Sequence, residues 1–272
     1  MTYAFRERSG NSATPTEMFD FYRGGVHWRY TNADRELELF GERWKPIPIS
    51  RSNLSSGPEV SKSKLKVEAP RTIEVYEQFR VAPPGSAIGC TVYSHHYGDD
   101  DVQAVPEWTG VVVACVRRDS KVTLHCEPAY SAMQAHGLRR KFQRQCPHVL
   151  YGPGCKVNKE EFKVIGTVDD LTATTMTCSA ASAFPDFYFE GGFIEWYDNL
   201  DLLDQRSIEE HVGSSIRLAY TLKHIENGQE IALYPGCNHT MEMCNDVFDN
   251  ILNYGGTPYI PEKNPYKGQP VF

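Results

Sequence analysis

No stretch of this 272-residue chain is long and apolar enough to cross a bilayer as a helix. Its longest purely apolar run is "VVVACV", Val111 to Val116, against the ~20 residues a spanning helix needs. The opening "MTYAFRERSG" also lacks the apolar stretch of a secretory signal, which leads to the expectation of folding in a reducing cytosol. Basic residues are in deficit: 28 Lys and Arg face 35 Asp and Glu, a net charge of −7. That deficit argues against the broad basic face on which non-specific nucleic-acid binding depends. No G-x-G-x-x-G follows a strand-like run and no His-Glu-x-x-His occurs, so the fingerprints of a dinucleotide fold and of a zinc protease are both missing. Strict internal repeats and low-complexity segments are missing too.

Apolar side chains are not in short supply. At 40 % of the residues they suffice for a packed core, and the length suits one large domain or two ordinary ones. The texture is that of short strands. In "SKLKVEA", Leu65 and Val67 face one way while Lys64, Lys66 and Glu68 face the other, the period of a half-exposed strand. "VHWRYT", "ELELFG", "SAIGCTVYSHH", "TGVVVACVRR" and "KVTLHCE" continue the pattern, broken by turn chemistry such as "APPG" and "RRDSK". A second strand-rich stretch holds "EFKVIGTV", "TATTMTCS", "FPDFYFEGGFIEWY", "SSIRLAYTL" and "EIALYPG". Three helices are predicted. One lies in "TPTEMFDFYRGG", where Met18, Phe19 and Tyr22 fall at helical spacing. Another lies in "SAMQAHGLRRKFQRQC", with Leu138, Phe142 and Cys146 on one face and Gly137 as a weak point. The third lies in "TMEMCNDVFDNILN", where Cys244, Val247, Phe248 and Ile251 share a face. The fold class expected is mainly β (α+β): two barrel- or sandwich-like antiparallel domains, 1–135 and 136–272, with short helices and a proline-rich tail.

Of the eight cysteines, Cys90, Cys115, Cys126 and Cys178 sit in strand-like runs and read as core. The other four form two pairs, Cys146 and Cys155 in "CPHVLYGPGC" and Cys237 and Cys244 in "GCNHTMEMC". Each pair sets one thiol on a predicted helix face and one on an adjoining turn, so packing of the two helices would bring four thiols together. Zinc and iron–sulphur clusters both accept four thiolates. Paired zinc ligands are commonly separated by about 2–4 residues, whereas the gaps here are eight and six residues; an iron–sulphur cube also holds its ligands farther apart than one zinc ion does. Four unconnected buried thiols are the competing reading, with disulfides disfavoured in a cytosol. His148 and His239 each follow a cysteine by two positions and are candidates for a Cys/His zinc site or for a supporting hydrogen bond.

The runs "RYTNADRELELFGERWKPIPISRS", "LRRKFQRQCPHVLYGPGC" and "NILNYGGTPYIPEKNP" resemble the tail-tip hub proteins of long-tailed phages, with similar proteins in gene transfer agents and a more distant one in the tail tip protein L of lambda. Such a resemblance implies a structural virion protein rather than an enzyme. It implies a homotrimer that connects the distal end of the tail tube to the tip or receptor-binding apparatus, assembled in the bacterial host cytoplasm. Its neighbours would be a distal tail ring protein and a central tip or fibre protein, with DNA met only in transit. It also implies a [4Fe–4S] cluster in the C-terminal half, its ligands carried onto Cys146, Cys155, Cys237 and Cys244; His148 and His239 are left as supporting residues. The segment "HHYGDDDVQAVPEW" and Lys156 depart from that pattern.

Two other functions compete. A zinc-stabilised tail-associated hydrolase would use His95, His96, Asp99, Asp100 and Asp101, which together lack a recognised motif; an iron–sulphur electron carrier would need a redox partner. The negative charge suits a conduit that does not hold phosphates. The basic run "RRKFQR" reads first as a solvated face or subunit contact, and the tail, with Pro258, Pro261, Pro265, Pro270, Tyr259, Tyr266 and Phe272, as an extended docking segment.

Overall fold

The structure is a computed structural model that describes residues 3–9, 15–54, 63–96, 103–134, 137 and 142–261. It is mainly β. The chain divides into two compact units, 1–135 and 136–272. Among the described residues no helix is long and apolar enough to cross a membrane.

In the first unit the strands are β1 (Pro15–Arg23), β2 (Val26–Thr31), β3 (Leu37–Leu39), β4 (Glu42–Pro46), β5 (Ser50–Arg51), β6 (Leu65–Pro70), β7 (Ile88–His96), β8 (Ala104–Arg118) and β9 (Lys121–Pro128). They make one nine-stranded sheet in the order β3-β4-β2-β1-β7-β8-β9-β6-β5. Neighbours are antiparallel except for a short parallel pairing of β2 with β4. The alternation at Leu65 and Val67 is a real strand face: Leu65, Val67 and Ala69 of β6 stand opposite Cys126, Leu124 and Val122 of β9, and all six are buried. Cys90 and Cys126 are buried in this core and Cys115 packs against it.

The helix expected around Met18, Phe19 and Tyr22 is instead the strand β1. Phe19 and Phe21 enter the main core, while Met18 joins a second cluster with Leu37, Leu39 and Trp44. A strand buried on both faces presents a run of apolar residues, which periodicity alone does not separate from a helix. Of two short helices that the sequence did not advertise, α1 (Tyr3–Glu7) and α2 (Glu74–Phe79), the second is locked to β2 through Tyr30. The phenol donates to the Glu74 carboxylate and accepts from the Glu74 N–H. Arg23, fully enclosed, donates to Ser86 Oγ at 2.8 Å and Gln78 Oε1 at 3.1 Å, which is how a buried guanidinium is accommodated.

The second unit holds β10 (Val164–Thr167), β11 (Asp170–Thr172), β12 (Thr175–Thr177), β13 (Phe193–Tyr197), β14 (Leu203–Val212), β15 (Ser215–Leu218) and β16 (Glu230–Tyr234). The sheet order is β10-β16-β13-β14-β15-β12-β11, over a core that includes Met176, Cys178, Phe189, Ile194, Trp196, Ile208 and Leu233. β14 escaped the sequence reading because its inward face is polar: Asp204, Arg206 and His211 are buried beside Ile208. Arg206 donates to Asp204 at 3.3 Å and lies over the Trp196 ring.

The helix expected to end at Cys146 does not reach that residue. Residues 135, 136 and 138–141 lie outside the described residues, and 142–146 are non-helical, with Phe142 90 % exposed. Pro147 disfavours helical geometry at the residue before it. The Cys146 N–H donates to the His239 carbonyl at 2.9 Å rather than to its own chain four residues back. The third expected helix is real but short: α3 (Met241–Asp246), capped by the Thr240 hydroxyl accepting from the Met243 N–H. It stops before Asp249, whose φ of 43° breaks the face expected to run on to Ile251.

The β3–β4 hairpin offers a test of backbone strain. Leu39 pairs with Glu42, so Phe40 and Gly41 form a two-residue turn with φ of 58° and 75°, a geometry that favours Asn-Gly. Phe40 is 66 % exposed, so little burial is lost on replacing it. Phe40→Asn is expected to stabilise the protein by roughly 1 kcal/mol, read as a higher urea midpoint; a lower midpoint would show that the ring contributes packing.

Candidate metal centre

The cysteine loop is built outward from the second sheet. Tyr151 reaches back to donate to the Pro235 carbonyl at 3.0 Å, and its ring meets those of Phe193, Tyr234 and Phe248 edge-on. The loop closes on itself where Gly152 accepts from the Cys155 and Lys156 N–H groups at 3.0 and 2.9 Å. Cys155, Val157 and Phe248 form a small buried cluster, with Leu150, Phe162, Cys237, Met243 and Val247 against it. Backbone strain concentrates here. Tyr151, Lys156, His239 and Asp249 all have positive φ, each costing about 1–3 kcal/mol that the surrounding contacts must offset.

The structure brings all four candidate thiols, Cys146, Cys155, Cys237 and Cys244, into one neighbourhood, and none is in a disulfide. Gly255 N–H points at Cys146 Sγ (3.4 Å), His239 N–H at Cys237 Sγ (3.3 Å) and Asn250 Nδ2 at Cys155 Sγ (3.6 Å). The Cys244 thiol donates to the Asn250 carbonyl at 3.4 Å. Burial pushes the Cys244 thiol up, and Cys155, Cys237 and Cys146 add to the effect. Burial likewise raises Cys237, partly offset by the His239 N–H and reinforced by Cys155 and Cys146. Mutual influence of this kind means that the four sulphurs lie within electrostatic reach of one another. They are not drawn onto one point: among the described residues no group of three or more His, Cys, Asp or Glu side chains is arranged to hold a metal ion.

The two histidines enter differently. His239 contributes its main chain, with the N–H on Cys237 Sγ and the carbonyl accepting from Cys146 N–H and lying 3.3 Å from Tyr254 Oη. His148 packs between Gly154 and Gly255. The residue that sequence reasoning missed is Asn250. Its Nδ2 also donates to the Cys155 carbonyl at 2.6 Å, and its Oδ1 accepts from Asn253 at 2.7 Å. It joins both cysteine pairs, yet an asparagine in a polar run carries no spacing signal. The start of the tail docks on its own chain: Thr257 N–H donates to the Gln143 carbonyl, and Arg144, from the basic run, donates to the Ile260 carbonyl. Pro265, Tyr266, Pro270 and Phe272 lie outside the described residues, as do Asp99, Asp100 and Asp101. His95 and His96 are buried in β7, held by the Gln103 carbonyl and by Glu7.

Comparison with known proteins gives first a class. The fold matches that of a solved chain from the "Virion of native gene transfer agent (GTA) particle", with a TM-score of 0.80 over 98 % of this chain and 94 % of that one at 18 % identity. Residues 187–264 match the family described as Phage conserved hypothetical protein BR0599. An uncharacterised protein of Xylella fastidiosa (strain 9a5c) is 26 % identical over 185 residues, 63 % of this chain. The match spans 38 % of that curated relative. These define a mainly-β protein with the fold of a virion component. Residues 21–158, just over half the chain, match the family described as Baseplate hub protein, N-terminal attachment domain. The chain belongs to that family, as a phage tail or baseplate structural protein of the virion. The two family matches divide between the cysteine pairs, Cys146 and Cys155 falling in one and Cys237 and Cys244 in the other.

Two outcomes follow for the metal-free protein. Because folding raises the thiol pKa of Cys237 and Cys244, the unfolded chain loses those protons first as pH rises. Stability is then full below the unfolded thiol value of ~8.5 and declines as pH passes through the folded values. Cys115, pushed up to about 11 by burial and then by Cys126, acts in the same sense. Urea midpoints near pH ~7 and pH ~10 check this, and equal midpoints contradict it. Asn250→Ala leaves the Cys155 carbonyl and the Asn253 amide without their partner and should cost about 1–3 kcal/mol by the same assay; a loss comparable to a surface change would remove Asn250 from its central place.

Proposed function

We propose that this protein is a structural hub at the tail tip, joining the distal end of the tail tube to the tip or receptor-binding apparatus, with its second unit stabilised by a [4Fe–4S] cluster on Cys146, Cys155, Cys237 and Cys244. The baseplate-hub match over 21–158 supports the structural role. The single observation that carries the cluster is the convergence of four free thiols from two segments about ninety residues apart in sequence.

The donor set fits. Zinc and an iron–sulphur cluster both accept four thiolates, and the gaps of eight and six residues within the pairs are wider than the about 2–4 residues common between paired zinc ligands. Three of the sulphurs face N–H donors, as the sulphurs of buried clusters do. When bound, the cluster would supply four metal–thiolate bonds. The chain's part is to release four thiol protons, to give up the Cys244 S–H bond to Asn250, and to hold Tyr151, Phe248 and Phe162 as an apolar wall. Binding energy then becomes folding energy for loops with almost no regular structure. In this reading the chain acts as a homotrimer between a distal ring protein and a central tip or fibre protein, meets DNA only in transit and has a scaffolding rather than a catalytic task.

Anaerobic purification of the full chain, with iron, acid-labile sulphide and zinc measured together, tests it. Iron and sulphide in equal amounts, lost in each single Cys→Ser variant at the four positions but kept in Cys178→Ser, support the cluster. Zinc alone, or no metal, removes it.

A further inference from the structure

His148 occupies a place that only two glycines permit. A Cβ added at Gly154 would lie 2.4 Å from His148 Nδ1, and one added at Gly255 would lie 2.3 Å from its Nε2, distances at which something must move. Neither glycine has a positive φ, so the requirement is for space rather than for backbone conformation. Gly154 belongs to the first cysteine loop and Gly255 to the segment after α3. The imidazole is therefore a wedge between two stretches of main chain that belong to different halves of the thiol site.

The wedge bears on one sulphur in particular. Gly255 N–H is the group that points at Cys146 Sγ at 3.4 Å. The same segment is tied on its other side by Tyr254 Oη, which donates to the Arg144 carbonyl (2.8 Å) and lies 3.3 Å from the His239 carbonyl, and by Thr257 N–H on the Gln143 carbonyl. Those bonds fix how near the segment approaches the 143–146 strand of chain; the thickness of the imidazole fixes the approach on the Gly255 side. We infer that His148 is a positioning residue and not a ligand: its ring, held between Gly154 and Gly255, sets the Gly255 N–H on Cys146 Sγ and so tunes the electron density of that one thiolate. The tuning rests on the cluster proposed above; the steric coupling does not.

A bump-and-hole series separates the two. In the metal-free full chain, Gly255→Ala pushes a methyl into the ring and should lower the melting temperature by roughly 5 °C. The double variant Gly255→Ala/His148→Ala should recover part of that loss, because the methyl enters the space the ring has left. If Gly255→Ala does not fold, recovery of folded protein in the double variant reads the same coupling. Losses that simply add would overturn the wedge. In the iron-loaded protein, His148→Ala should keep its iron and sulphide but lower the reduction midpoint, since a loosened N–H···S bond no longer stabilises the reduced, more negative cluster. An unchanged midpoint overturns the tuning, and loss of iron from a folded His148→Ala protein makes His148 a ligand instead. If the unaltered chain takes up no iron, the cluster reading fails, while the melting series still decides the wedge.

Discussion

The second unit depends on bringing thiols from Cys146–Cys155 and Cys237–Cys244 into one neighbourhood, with only Cys244 carried on a helix, the short α3. The means are few and local. The His239 carbonyl accepts from Cys146, Asn250 spans Cys155 and Cys244, and Tyr151 anchors the loop to the sheet through Pro235 and three aromatic rings. Four non-glycine residues in these segments hold left-handed backbone conformations, which a free chain avoids. Burial and the neighbouring sulphurs raise the thiol pKa of Cys237 and Cys244, so these two thiols resist ionising in the metal-free chain.

The first unit solves a different problem with ordinary means. Its nine-stranded sheet places β1 and β7 so that both faces are covered, one by the main core and the other by Leu37, Leu39 and Trp44. Apolar area is plentiful there. In the second unit the apolar core stays with the sheet, and the cysteine segments have only the small cluster around Cys155 and Phe248. A virion component must keep its shape outside the cell, and a segment with so little buried apolar surface is where the inorganic bonds proposed above would add most.

Legibility followed burial pattern. Strands with one wet face, such as β6 and β9, were readable because Leu65, Val67, Val122 and Leu124 alternate with polar residues. β1 was misread because Met18 and Phe19 are buried on opposite faces, and β14 was missed because Asp204, Arg206 and His211 line its inner face. Cys146, Cys155, Cys237 and Cys244 were legible as two pairs from their spacing. The supporting parts were not: Asn250 acts by hydrogen bonds that no periodicity records, His239 by its main chain, and Gly154 and Gly255 by the side chains they lack.

By itself the sequence determined the mainly-β class, the acidic surface and the four cysteines set apart from the core, since hydrophobic period, charge and residue type are local quantities. Only the tertiary structure decided that Cys146 leaves the helix expected for it, that Asn250 ties the two pairs together, and that His148 sits between two glycines. Those facts depend on which main-chain segments pass within a few ångströms of each other, and distance through space is not encoded in any one segment of the chain.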